Sequence, residues 1–213
     1  VNTAHLLADE VFLAAHDDVT GKPRQHPRAI GLGLAGALLG ELMLFGRVTT
    51  RDGLVVVVAS RQPPPDALAH TVLDHLTGEQ QPHGLRTWLA FLSQTATERV
   101  GARLERAGHV TRTESRRLLK VESRWVPADM SAAAMPSALL RHRLQREDPL
   151  DLQAATFAGL VEATGLSQTV LWGVTARTVE YRDWCVSGLP APLQELIAET
   201  TAAVGNAVLT HRA

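Results

Sequence analysis

The residue types that carry chemistry are present in this chain, but their spacing argues against each reaction in turn. Nine histidines are scattered along it. His70 and His75 stand five apart, which does not set two imidazoles on one helical face, and no His-Glu-x-x-His element occurs. Asp17-Asp18 is a carboxylate pair, yet it sits in the turn-forming run Asp17-Asp18-Val19-Thr20-Gly21, where a solvated loop is the favoured reading. Neither a Gly-x-Ser-x-Gly elbow nor a Walker loop is found. Gly31-Leu32-Gly33-Leu34-Ala35-Gly36 looks like a glycine-rich nucleotide loop, but it lies inside a helical pattern with no strand before it. Small residues there are expected to let a neighbouring helix pack close. The single cysteine, Cys185, has no internal disulfide partner and reads as a buried, inert thiol. These residues predict no enzyme, no cofactor and no metal; a perturbed buried acid beside a histidine in a deep pocket would revive a catalytic reading.

Charge collects instead in one stretch. Between Glu98 and Arg124, eight cations (Arg99, Arg103, Arg106, Arg112, Arg116, Arg117, Lys120, Arg124) face four glutamates, in a chain whose net charge is -1. Arg116-Arg117-Leu118-Leu119 places two cations beside two leucines. Such a tip suits an anionic interface, with cations on phosphates and leucines at the acyl boundary. A solvated hairpin with inward-packed leucines fits the same residues equally well. Arg141, Arg143 and Arg146 add a basic helical end, partly cancelled by Glu147 and Asp148.

The elements that must position these residues are mostly helices. Apolar residues make up 45% of 213 residues, aromatics only 4%, and Leu and Ala dominate, which favours helix packing over a sandwich. Thr3 is read as the cap of a first helix ending near His16. A second runs from Pro27 to Phe45, apolar nearly all round, and so belongs at the centre of a bundle. Gly46 ends it, and Arg47–Thr50, the turn at Asp52-Gly53 and Leu54–Ala59 read as a hairpin with a buried Val run. Asp66 caps a short helix to about Leu76. A helical pattern from Leu85 to Ala107, bent near Ser93–Thr97, leads to Gly108 and a second hairpin ending at Val126-Pro127. Helices follow over Pro136–Arg146, Asp151–Thr164, Ser167–Trp184 and Pro190–Leu209. Phe45-Gly46-Arg47-Val48-Thr49 is echoed by Ala107-Gly108-His109-Val110-Thr111, two similar helix-plus-hairpin units. No linker divides the chain, so one domain over 1–213 is expected. The longest apolar segment, Ala29–Phe45, is interrupted by Glu41 and too short for a span. No leader or lipidation signal is read.

In this order the elements resemble the Golgi phosphoprotein 3 (GPP34) family. Leu6-Leu7-Ala8-Asp9-Glu10-Val11, Asp17-Asp18-Val19-Thr20-Gly21, Gly33–Leu42 and Gly46-Arg47-Val48 carry the likeness, and Glu98-Arg99-Val100, Leu104–Gly108, Leu118-Leu119 and Trp125-Val126-Pro127 continue it. The Arg- and Ala-rich style resembles a bacterial, actinobacterial member. The resemblance implies a mainly α fold, a central helical bundle surrounded by amphipathic helices with two β-hairpins. It also implies peripheral membrane attachment through phosphoinositide headgroups and a hairpin for membrane contact and self-association. The Trp and three Arg of the eukaryotic headgroup pocket align near His26, Ala35, Gln94 and Thr97, so that pocket is not retained.

The expectation is therefore a cytoplasmic, non-enzymatic domain on the inner face of a membrane, acting as a lipid-surface binder or adaptor. Its partners are anionic phospholipid headgroups, and other proteins or a second copy through the hairpin. Arg24, Arg28, Arg86 and Arg99 are the candidate anion site. Arg112, Arg116, Arg117, Leu118, Leu119 and Lys120 are the candidate contact hairpin. Two alternatives stay open: a protein-interaction scaffold without lipid binding, and a winged-helix-like nucleic-acid binder with Arg99, Arg103 and Arg106 on its reading helix.

Overall fold

A computed structural model describes residues 5–59, 63–64, 66–117 and 120–209, with backbone alone for 115–117, 120–123 and 208–209. Its organising element is helix α2 (Pro27–Leu44). His26 caps it, Nδ1 accepting from the Arg28 N–H at 3.2 Å, and Pro27 fills the first helical position, where no N–H is needed. From Ala29 to Leu42 every residue is buried. Helices α1 (Leu7–Ala15), α3 (Ala67–Gly78), α4 (Leu85–Ser93), α5 (Ala96–Arg106), α7 (Leu152–Ala163) and α10 (Ala191–Leu209) pack around it. A helix apolar on all sides is stable only inside such a ring. The close approach expected at the glycines is present: a Cβ on Gly33 would lie 2.4 Å from Thr164 Oγ1, and one on Gly36 2.7 Å from Thr200 Oγ1. The buried apolar residues form one continuous cluster from Leu7 to Ala207.

The two helix-plus-hairpin units end their helices by the same device. Strands β1 (Val48–Arg51) and β2 (Leu54–Val57) follow α2, and β3 (Val110–Arg117) and β4 (Lys120–Pro127) follow α5. Each pair is an antiparallel two-stranded sheet. Gly46 and Gly108 adopt φ of +64° and +77°, a region costly for any residue with a Cβ. The N–H of Arg47 then reaches Leu42 O and that of His109 reaches Leu104 O, each across five residues. Those bonds satisfy carbonyls the helix leaves unpaired and turn the chain into a strand. Among the described residues the fold has ten helices and two hairpins, mainly α as the sequence predicts.

Several boundaries differ from the expectations for local reasons. Helix α1 starts at Leu7 with Leu6 at its cap, and Thr3 lies outside the described residues. Helix α6 (Met130–Gln145) begins two turns before Pro136, because Asp129 Oδ1 accepts from the N–H groups of Ser131 and Ala132 at 2.7 and 3.1 Å. Pro136 is therefore interior, at the cost of one helical hydrogen bond. The stretch 167–184 is not one helix: α8 (Ser167–Val170) stops before Gly173, and Thr175 caps α9 (Ala176–Ser187). The Val run of β2 is less buried than expected, with Val55 buried, Val56 and Val57 half-buried and Val58 exposed. Cys185 is half-buried, and burial pushes its thiol pKa upward.

Inside the ring sits a cluster of charges. Arg103 of α5 is buried and donates from Nε to Asp9 Oδ1 at 2.9 Å and from Nη2 to Glu41 Oε1 at 2.9 Å. It also reaches Glu41 Oε2 at 3.1 Å and Asp66 Oδ1 at 3.4 Å. Glu41, 1% exposed, accepts the Ala8 N–H of the first turn of α1 at 2.7 Å. Asp66 Oδ1 meanwhile caps α3 through Leu68 and Ala69. One guanidinium thus joins α1, α2, α5 and the start of α3. Burial pushes the Asp9 and Glu41 carboxyls upward against the pull of Arg103, whose own pKa the carboxylates raise. Arg103→Met leaves Glu41 buried without its cation and is expected to cost about 3–5 kcal/mol. Arg103→Met/Glu41→Met should recover most of that loss. Urea midpoints of the two variants against the native protein test this; equal losses would mean the pair is not coupled.

Candidate functional site

Two adjoining clefts open beside the N-terminal half of α2. The larger, about 520 Å³, is lined by Arg28 and Leu32 of α2, Arg86, Ala90 and Ser93 of α4, Gln94, and Asn206 of α10. Arg86 Nε donates to Glu199 Oε2 at 3.2 Å, and among the described residues no carboxylate lines this cleft. The smaller, about 350 Å³, shares Gln94 and adds His16, Pro27, Thr97, Glu98, Arg124 and Trp125. His16 Nδ1 donates to Phe12 O at 2.8 Å, and burial lowers its pKa, so it presents a neutral ring. Of the four positions aligned with the eukaryotic headgroup pocket, Gln94 and Thr97 line this cleft and His26 caps α2 at its edge. Ala35 is fully buried in the core.

The candidate anion residues therefore divide. Arg28 and Arg86 come together from different helices in one cleft. Arg24 is folded back, its guanidinium on Asp18 Oδ2 at 3.0 Å and on the Ala14 carbonyl at 3.2 Å. Arg99 on α5 lines neither cleft.

The β3–β4 hairpin stands on α5 through a built base. Trp125 lies so close over Gly101 that a Cβ there would be 2.4 Å from its ring. The Arg112 guanidinium sits 5.3 Å from the Trp125 ring centroid and pairs with Glu98, while the backbone N–H of Arg112 donates to Glu105 Oε1 at 3.1 Å. Arg112 thus fastens the hairpin to the bundle. Beyond it the register pairs Arg116 with Val121 and Arg117 with Lys120, at the end of the strands away from that base. Leu118 and Leu119 lie outside the described residues. The winged-helix alternative loses its reading helix, because Arg103 is buried among three carboxylates and faces the core.

A third cavity, about 400 Å³, lies between α1, α6 and α7 and shares no lining residue with the two clefts. Met135, Pro136, Leu139, Leu140 and Phe157 form apolar walls around Glu10 and Gln153. Gln153 Nε2 donates to Glu10 Oε2 at 3.1 Å and to the His5 carbonyl at 2.9 Å. Burial pushes the Glu10 carboxyl up to about 7, and the nearby carboxylates of Asp151, Asp9 and Glu41 push the same way. His5 lines the cavity too, its pKa lowered chiefly by burial and its ring 4.6 Å from that of His109. An acid and an imidazole do share this pocket, but among the described residues no Ser, Thr, Cys or Lys lines it. Nor, among the described residues, is any group of three or more His, Cys, Asp or Glu placed to hold a metal ion.

Sequence reasoning missed this cavity and half of the larger cleft. Glu10 carries no motif, and its partner Gln153 lies far along the chain; Asn206 joins the cleft only through the packing of α10. In comparisons with known proteins, the family model described as Golgi phosphoprotein 3 (GPP34) matches residues 7–200. No curated protein matches the chain.

The Glu10 carboxyl gives a pH signature. Its folded pKa of about 7 exceeds the ordinary 4.5, so between those values the folded chain holds a proton that the unfolded chain releases. The Glu10 contribution to stability is therefore greatest below that window, falls as pH rises through it, and levels off above 7, while the lowered pKa values of His5 and His16 act in the opposite sense. The shift bounds the change at about 3 kcal/mol. From pH 5 to pH 8 the urea midpoint of the native protein should fall relative to that of Glu10→Gln, which lacks this contribution. The same change with pH in both proteins would contradict the assignment.

Proposed function

The chain belongs to the Golgi phosphoprotein 3 family, and on that premise we propose that it is a non-catalytic, peripheral binder of anionic phospholipid headgroups at a membrane surface. The match supports a lipid- or protein-binding role in general, and the family is not a known enzyme family. Peripheral attachment is consistent with the helices. Among the described residues one, Pro27–Leu44, is long and apolar enough to cross a bilayer, and 78% of it is buried inside the bundle.

The observation that carries the reading is the cleft where Arg28 and Arg86 meet. Two cations from separate helices, with Gln94 and Asn206 beside them, offer charge-assisted donors to a phosphate in a space large enough for a headgroup. The hairpin adds a second contact, with Arg116, Arg117 and Lys120 near its tip and Leu118-Leu119 between its strands. Gln94 and Thr97 carry no charge where the eukaryotic pocket has arginines, so selectivity for one phosphoinositide is not part of the proposal; general affinity for anionic headgroups is. The cytoplasmic face of the inner membrane is the setting that fits. A protein-partner reading has its own support: Trp172 and Trp184, beside and on α9, are 66% and 68% exposed.

Co-sedimentation with neutral, anionic and phosphoinositide-doped vesicles tests the proposal. Native protein is expected to bind the anionic vesicles, and high salt to release it as the charges are screened. Arg28→Glu/Arg86→Glu and Arg116→Glu/Arg117→Glu should each weaken binding by about tenfold or more. Failure to bind any vesicle would overturn the headgroup reading and leave the scaffold reading.

A further inference from the structure

The cavity between α1, α6 and α7 is not used by the headgroup reading. Its volume of about 400 Å³ falls in the range of small-molecule sites. Its shape has two chemically distinct parts. Leu139, Leu140 and Phe157 supply apolar wall, while Glu10 supplies a carboxylate whose hydrogen bond comes from a neutral amide, that of Gln153.

The charges around Glu10 decide what that carboxylate can accept. From its own helix it faces Asp9, from α2 Glu41, and from the cap of α7 Asp151, all acidic. Arg103 of α5 is consumed by Asp9, Glu41 and Asp66. Arg143 of α6 lines the cavity, but its guanidinium is bound to the Pro149 carbonyl and reaches Asp151 Oδ2 at 3.4 Å. His5 lines it as well, with burial and His109 both disfavouring its charged form. Among the described residues that line the cavity, Arg143 and Asp151 offset each other, which leaves Glu10 as the carboxyl hydrogen-bonded by a neutral amide alone, and a carboxylate in apolar surroundings is stabilised by a cation with hydrogens to donate.

We propose that this cavity binds a small amphipathic amine, the ammonium on Glu10 and the apolar body against Leu139, Leu140 and Phe157. The inference is independent of the headgroup proposal, and its test contains no membrane.

The probes are n-octylamine, n-octanol and octanoate, below their aggregation concentrations, with binding followed by calorimetry or protein NMR. Octylamine should bind most tightly of the three. An alkylamine stays protonated to about pH 10, so its affinity follows the ionisation of Glu10. With that carboxyl at about 7, the affinity should rise about tenfold from pH 6 to pH 8. Octanol should show no such rise. Glu10→Gln should weaken octylamine at pH 8 by about tenfold or more and leave octanol unchanged. Should that variant not fold, Ala154→Met narrows the cavity and should weaken both ligands. Octanoate binding more tightly than octylamine, no binding by any probe, or octylamine binding unaffected by both substitutions would each overturn the proposal.

Discussion

The Arg103–Glu41 pair is the constraint on which the rest of the architecture depends. Helix α2 must be apolar on every face to sit at the centre of the ring, and yet it carries a carboxylate that is 1% exposed. An isolated ion there would be prohibitively costly. Arg103 removes the cost by giving Glu41 two donors, and its remaining hydrogens take Asp9 and Asp66. Because those carboxylates also hold the start of α1 and the cap of α3, satisfying one buried charge fixes the placement of four elements. A ring of helices packed on apolar contact alone could slide or rotate; one whose members share a guanidinium has a register. Specificity of this kind is the best-attested use of buried ion pairs, which add little to stability over well-packed apolar residues.

The same pair decides how charge is distributed on the outside. The basic stretch from Arg99 to Arg124 reads as a field of eight cations, but much of it is spent internally. Arg103 is neutralised in the core, and Arg112 is divided between Glu98 and the face of Trp125. What this expenditure produces is a stiff connection: Arg103 locks α5 to the bundle, and Trp125 on Gly101 locks the hairpin to α5.

Local features of the sequence proved readable and distant ones did not. The ends of α2 follow from His26-Pro27 and from Gly46, and the repeated Gly-x-Val-Thr run marks two helices that end by the same hydrogen bonds. Glu41 reads from the sequence only as a break in an apolar segment; its partner lies 62 residues away on a helix whose other arginines are not buried, so nothing in the pattern singles out Arg103. Pro136 misled because proline is common at helix starts, whereas the Asp129 cap overrode it. In the candidate site, the meeting of Arg28 and Arg86 could be suspected from charge and helix order. Asn206 and the Glu10–Gln153 contact could not, since both arise from where α10 and α7 pack.

The four positions that the resemblance sets against the eukaryotic pocket differ in how the fold uses them. Three of the aligned positions, His26, Gln94 and Thr97, sit at a helix cap or a helix junction, partly open to solvent, where a change of side chain costs the bundle little. The fourth, Ala35, is fully buried in α2, in the ring where small residues allow the neighbours to close in. An arginine there would need an opening through the packed ring, or an acid beside it. Alanine closes the core, and the cations that remain, Arg28 and Arg86, stand on outer turns of α2 and α4 where they disturb no packing. The packed core and the proposed anion cleft thus draw on different residues. The fold depends on Arg103, Glu41 and the glycine contacts, while affinity for any anionic partner is set by surface residues that can change without unfolding it.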